Sequence, residues 1–292
     1  MDTRYHYDPK TTPFDPDAKG YHFNNALWLA AAGNLAYENE KTIRTTVEKW
    51  GFKRFRFLHF SSPVGASDSF LPVDTQAFVC SNDKVTLIAF RGTEPLNVKD
   101  WFTDLMVGSI PAPVGLGNVH KGFDAAFAAI RPQLQSTLTE QHHGKTPIWI
   151  TGHSLGGALA MLTAVQLKFS HKLPVQGVYT FGQPRVGDRT FAKFTHRVLG
   201  DRMVRFVNNK DIVPQVPSPR MLLNYRHNNQ ELRFDPNGRL ILQKSWWDRA
   251  RSVMKKPRVD VAKLTVEALT DHSMDRYVER VRQQIIETIK PT

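Results

Sequence analysis

Cysteine is almost absent from this chain: Cys80 is the only one in 292 residues. No intramolecular disulfide can form, and metal clusters built on paired cysteines are excluded. Cys80 ends an apolar run and is expected to be a small buried side chain. The eleven histidines lack His-x-x-x-His or related ligand spacing, so neither a metal site nor a cofactor is expected. Acidic residues are in deficit, 27 against 39 lysines and arginines, for a formal net charge of +12. Such a surface attracts anions, whether nucleic acid, anionic lipid or a fatty acid. No nucleic-acid-binding motif accompanies the charge, which leaves lipid contact or solubility as its use. Long apolar runs are missing too. Residues 1–20 are polar and carry three prolines, unlike a signal peptide, and Ala26–Ala32 is too short to span a bilayer. The expectation is a cytoplasmic protein by default, with signal-independent secretion or a removed leader as alternatives.

The most informative stretch is Ile150-Thr-Gly-His-Ser-Leu-Gly-Gly-Ala-Leu-Ala160, which contains Gly152-x-Ser154-x-Gly156. The pattern places a serine on a sharp turn between a strand and a helix. The preceding Thr146–Ile150 is β-branched and apolar, and the following Gly157–Leu167 is rich in helix formers. Small residues at 152, 156 and 157 let strand and helix approach closely around a strained serine.

A nucleophilic serine needs a base, and the base needs an orienting carboxylate. With this elbow the chain order is serine, then acid, then histidine. Asp211 is the best acid: it follows the strand-like Asp201–Val207 and precedes a proline-bearing run that cannot continue as a helix. Two histidines follow it. His272 precedes the last helix, while His227 lies in a polar stretch resembling a surface hairpin; chain order and loop placement favour His272. Attack on an ester carbonyl also needs donors for the oxyanion. The N–H of Leu155, the residue after the serine, is one. Thr93, in the turn after the strand Val85–Phe90, offers an N–H and a hydroxyl as the second.

Residues 1–20 read as an N-terminal arm and residues 21–292 as one domain without repeats. Strands are expected over 52–60, 74–91, 175–181 and 203–207, and helices over 123–140, 188–199 and 273–290. A small hairpin is expected around Asp235-Pro-Asn-Gly238. After the Thr93 turn, Val98, Trp101, Phe102, Leu105 and Met106 share one helical face, as a lid or a fixed core helix would have them. Trp246 and Trp247 lead a basic run to Arg258 that suits either a lipid interface or an ordinary surface helix.

The chain resembles the class 3 (fungal-type) triacylglycerol lipases. The resemblance runs through Phe90-Arg-Gly-Thr93, Trp101–Leu105, Val119–Phe123, the serine elbow, Phe181–Asp188, Val207–Pro214 and Asp271-His272, in the family's order. It implies an α/β-hydrolase fold, a central and mostly parallel sheet flanked by helices. It further implies Ser154 as nucleophile, Asp211 as orienting acid, His272 as base, and Thr93 with Leu155 as the oxyanion hole. Residues 98–106 would fall where those lipases carry a lid. The implied activity is hydrolysis of acylglycerol esters, with transient contact at a lipid interface. A phospholipase A1, a general carboxylesterase or a catalytically silent scaffold are the alternatives.

Overall fold

A computed structural model describes residues 11–61, 74–92, 108–142, 144–217, 224–227, 229–242 and 266–289. The chain opens with α1 (Phe23–Leu35) and α2 (Glu40–Lys49), then β1 (Arg54–Ser61), β2 (Asp74–Ser81) and β3 (Thr86–Phe90). A hairpin of β4 (Ser109–Pro111) and β5 (Asn118–His120) leads into α3 (Lys121–Gln141). There follow β6 (Ile148–His153), α4 (Leu155–Val165), β7 (Val175–Phe181), α5 (Arg189–Leu199) and β8 (Met203–Asn208). The described chain closes with β9 (Gln230–Phe234), β10 (Leu240–Leu242), α6 (Val266–His272) and α7 (Met274–Ile289).

Eight strands form one sheet in the order β1-β2-β3-β6-β7-β8-β9-β10. The run from β3 to β9 is parallel, and the outer pairs are antiparallel. The parallel strands are buried on both faces, which is why β6 and β8 have no exposed residue. Alternation sorts their side chains between two cores. Ile148 and Ile150 face the layer of α3 and α4. Trp149, Tyr179, Phe181 and Phe206 face the layer of α1 and α7. Helix α1 is apolar nearly all round and is buried from Asn25 to Leu35, as such a helix must be. Cys80 is fully buried in this second core.

The described part of the arm is tied to the sheet. The Phe14 ring meets Trp149 edge-on at 5.3 Å. The indole N–H of Trp28 donates to the carbonyl of Thr12, and that of Trp149 to the carbonyl of Pro16. Among the described residues no helix is long and apolar enough to cross a membrane.

Register brings the loops of interest together. Phe90 at the end of β3 pairs with Gly152, His153 at the end of β6 with Phe181, and Phe181 at the end of β7 with Phe206. The turns that follow these strands therefore open at one edge of the sheet, where parallel α/β sheets gather their ligands.

Candidate active site

Ser154 sits between β6 and α4 with φ +54° and ψ −124°. That region is unfavourable for any residue with a Cβ, so the surroundings must impose it. They do so by closeness. A Cβ on Gly152 would lie 2.2 Å from the carbonyl oxygen of Gly156, and one on Gly156 would lie 2.4 Å from that of Phe90. Glycine is required at both positions for β6, α4 and β3 to approach this far. The N–H of Ser154 donates to the carbonyl of Phe181, anchoring the turn to β7.

His272 brings its Nε2 to 2.9 Å from Ser154 Oγ, and its Nδ1 lies 3.0 Å from both carboxylate oxygens of Asp211. A carboxylate can only accept, so Nδ1 carries the proton and Nε2 turns its lone pair to the serine hydroxyl. All three side chains are buried. Asp211 is held on every side: the N–H of Val213 donates to Oδ1 at 2.9 Å, and the hydroxyl of Tyr277 donates to Oδ2 at 2.5 Å. The same hydroxyl accepts from the N–H of Asn208 at 3.0 Å. Burial and the Asp211 charge push the Tyr277 hydroxyl well above its ordinary pKa, so it remains a donor. Asp271 ties the two chain segments together, accepting from the side chain of Asn209 and the N–H of Lys210.

The structure corrects three details of the sequence reading. His272 is the last residue of α6 rather than a loop residue, separated from α7 by Ser273 alone. The proline-bearing run after Asp211 does turn once, as a 3₁₀ helix over Val213–Gln215. His227 is not on a surface hairpin, whose strands begin at Gln230. It is partly buried, with Nε2 donating to the carbonyl of Pro214 at 2.8 Å. Burial first, then Arg205 and Arg185, hold it well below the ordinary histidine pKa.

Leu155 opens α4, so its N–H is a first-turn donor beyond reach of the helix's own ladder. Gly92 lies against the elbow: a Cβ there would come within 2.4 Å of the Tyr37 hydroxyl, 2.5 Å of the His153 carbonyl and 3.1 Å of Ser154 Cβ. Its glycine serves close approach rather than a left-handed turn. Thr93, the stripe Val98, Trp101, Phe102, Leu105 and Met106, and the Trp246–Trp247 run lie outside the described residues. Among the described residues no group of three or more His, Cys, Asp or Glu side chains is arranged to hold a metal ion.

Two supporting groups escape sequence reading. Tyr277 is one, placed a turn and a half after His272. His153 is the other; its position beside Ser154 suggests only packing. It is buried, its ring meets that of His272 at a tilt with centroids 4.5 Å apart, and its two nitrogens meet the Tyr37 hydroxyl and the His272 carbonyl, each at 2.7 Å. Gly182 completes the site. At φ +59° it passes so close under the pair that a Cβ would be 2.8 Å from Asp211 Oδ2 and 2.9 Å from His272 Nδ1.

Comparison with known proteins identifies the family. The model of the family Lipase (class 3) matches residues 87–221. Triacylglycerol lipase OBL1 of Arabidopsis thaliana is 30% identical over 247 residues, 67% of this chain and 46% of its own length. Phospholipase A(1) DAD1, chloroplastic, of the same plant is 34% identical over 233 residues, 70% of this chain and 51% of its own length. The chain thus spans about half the length of these curated relatives. The structure of Rhizomucor miehei triacylglyceride lipase superposes with a TM-score of 0.58 at 25% identity, covering 82% of this chain and 91% of that one. With the serine elbow on a mostly parallel sheet and these relatives, the chain belongs to the class 3 lipase family of the α/β-hydrolase fold.

Proposed function

We propose that this protein hydrolyses carboxylic esters of acylglycerols through an acyl-enzyme formed on Ser154. The observation that carries the reading is the chain of contacts Ser154 Oγ, His272 Nε2, His272 Nδ1 and Asp211, at 2.9 and 3.0 Å. His272 takes the hydroxyl proton as Ser154 attacks the carbonyl carbon. Asp211 fixes the tautomer and balances the imidazolium that forms. The N–H of Leu155 meets the developing oxyanion, and Thr93, the second donor that the sequence offers, follows Gly92 in the chain. His272 then protonates the departing alcohol. Water, activated by the same base, attacks the acyl carbon and releases the acid and the free serine.

The triad does not read the head group of the ester. The phospholipase among the relatives makes phospholipid acyl esters the second reading. An apolar lid over residues 98–106, touching a lipid interface, is part of the proposal from sequence. The test is hydrolysis of tributyrin, triolein and phosphatidylcholine by the purified chain and by Ser154→Ala. The reading expects glyceride turnover that Ser154→Ala abolishes while remaining folded. Turnover confined to phosphatidylcholine selects the second reading, and none on any ester makes the chain a scaffold.

A further inference from the structure

A concave site lies apart from the serine. It is a cleft of about 620 Å³, between the C-terminal continuation of α4, helix α5 and the turn joining β4 to β5. Its lining includes Lys168, Lys172 and Arg197, the apolar side chains Leu116, Phe169 and Phe194, and no carboxylate. Phe169 and Phe194 meet edge-on at 5.0 Å, and Lys172 Nζ lies 4.9 Å over the Phe169 ring. Gly115, at φ +92°, lies flat against Phe194: a Cβ would fall 2.0 Å from that ring.

The lining leaves both apolar and cationic groups open to solvent. Leu116 is 57% exposed and Phe169 44%, two of the three exposed large apolar side chains among the described residues. Among the described residues no carboxylate lies within ion-pair distance of Lys168, Lys172 or Arg197. Partial burial, then Arg202 nearby, lower the Lys168 pKa, the direction that an anion beside it would reverse. Three cations beside two uncovered apolar groups select a ligand with both characters. Its size falls in the range of small-molecule sites.

We propose that this cleft binds a single fatty acid, its carboxylate on Lys168, Lys172 and Arg197 and its first methylenes along Leu116, Phe169 and Phe194. A membrane surface fits the position less well. Phe169 is about fourteen residues beyond the start of α4, which at 1.5 Å per residue sets the cleft roughly 20 Å along the helix from Ser154. A bilayer docked there would hold the reactive end of the sheet away from lipid. The inference rests on the cleft alone; under the function proposed above, its ligand is of the same class as the released acid.

The test is titration of monomeric sodium laurate, below its micelle concentration, followed by calorimetry. The wild-type chain is compared with Lys168→Glu/Arg197→Glu, with Lys172→Gln and with Leu116→Ser. The last two change exposed side chains and cover the case in which the double variant fails to fold. Melting temperature serves as the control for folding in each. Saturable laurate binding is expected, weakened about tenfold or more in the double variant and several-fold in the single ones, with no saturable binding of acetate. Undiminished laurate affinity in the variants overturns the proposal. So does acetate binding as tight as laurate, or binding seen only with phosphatidylglycerol vesicles.

Discussion

His153 donates from Nε2 to the main-chain oxygen of His272 at 2.7 Å, so the residue beside the reactive serine holds the backbone of the base that serves it. A carbonyl oxygen only accepts, which fixes the proton on Nε2 and leaves Nδ1 to accept from the Tyr37 hydroxyl. Burial first, then electrostatic interaction with His272, hold His153 well below the ordinary histidine range, so it stays neutral. His153→Leu is expected to lower kcat by about 10- to 100-fold, roughly 1.4–2.7 kcal/mol in the barrier, with little change in KM. Partial rescue by His153→Gln, whose amide can still donate, is the part a purely structural role does not explain. Steady-state kinetics well below each variant's Tm check it; equal kcat in all three chains removes the assignment.

Tyr277→Phe deletes one hydroxyl that both donates to Asp211 and accepts from Asn208. It leaves a buried N–H and a carboxylate oxygen short of a partner. A loss of about 1–3 kcal/mol in unfolding free energy is expected, together with a several-fold fall in kcat. Urea melts and kinetics on one preparation measure both, and a variant unchanged in each would show that the contact contributes nothing.

Gly182→Ala attacks the pair from beneath. Its Cβ would overlap Asp211 Oδ2 and His272 Nδ1, and φ +59° disfavours any side chain. The positive φ alone costs about 1–2 kcal/mol. Because the overlap falls on the reacting pair, the fall in kcat is expected to exceed what the lost stability accounts for, by tenfold or more. A drop in Tm with normal kcat would mean that the backbone moves aside without disturbing the pair.

Stability should fall on acidification. His153 and His227 both have pKa values depressed from 6.5 in the folded chain. The unfolded chain therefore binds more protons than the folded one once pH drops below about 6.5, and unfolding free energy declines from there toward the depressed values. Each histidine contributes a slope of up to about 1.4 kcal/mol per pH unit. Urea melts between pH 8 and 5 should show the decline, and His153→Leu should flatten it by about one proton. An identical slope in that variant would mean His153 titrates alike in both states.

The sequence is most legible where chemistry is local. Ser154 is framed by a strand pattern, a helix pattern and glycines, and Asp211 follows a strand end; both readings need only neighbours in the chain. His272 emerged from chain order, because only one arrangement of the triad suits this elbow. The supporting groups were hidden because their roles are set by contacts over long separations. Tyr277 is 66 residues from Asp211, and His153 is 119 from His272. His227 departs from expectation for the same reason: its polar neighbours suggest solvent, but the carbonyl that holds it comes from Pro214, on another segment. The glycines at 92 and 182 look like turn residues in sequence, and only the packed structure reveals what they make room for.

The ties between the arm and the sheet bear on where an independently folding unit of this chain begins. Thr12 and Pro16 each supply the acceptor for an indole N–H, and one of those indoles belongs to Trp149, on the strand that leads into Ser154. Gln176 on β7 donates to the carbonyls of Asp17 and Ala18, and the Tyr179 hydroxyl donates to Gly20. A protease cut or gene truncation at residue 20 would remove no group of the reactive serine's surroundings. It would still strip acceptors from β6 and β7 and from Trp28 of α1, so a stably folded fragment has to retain Thr12.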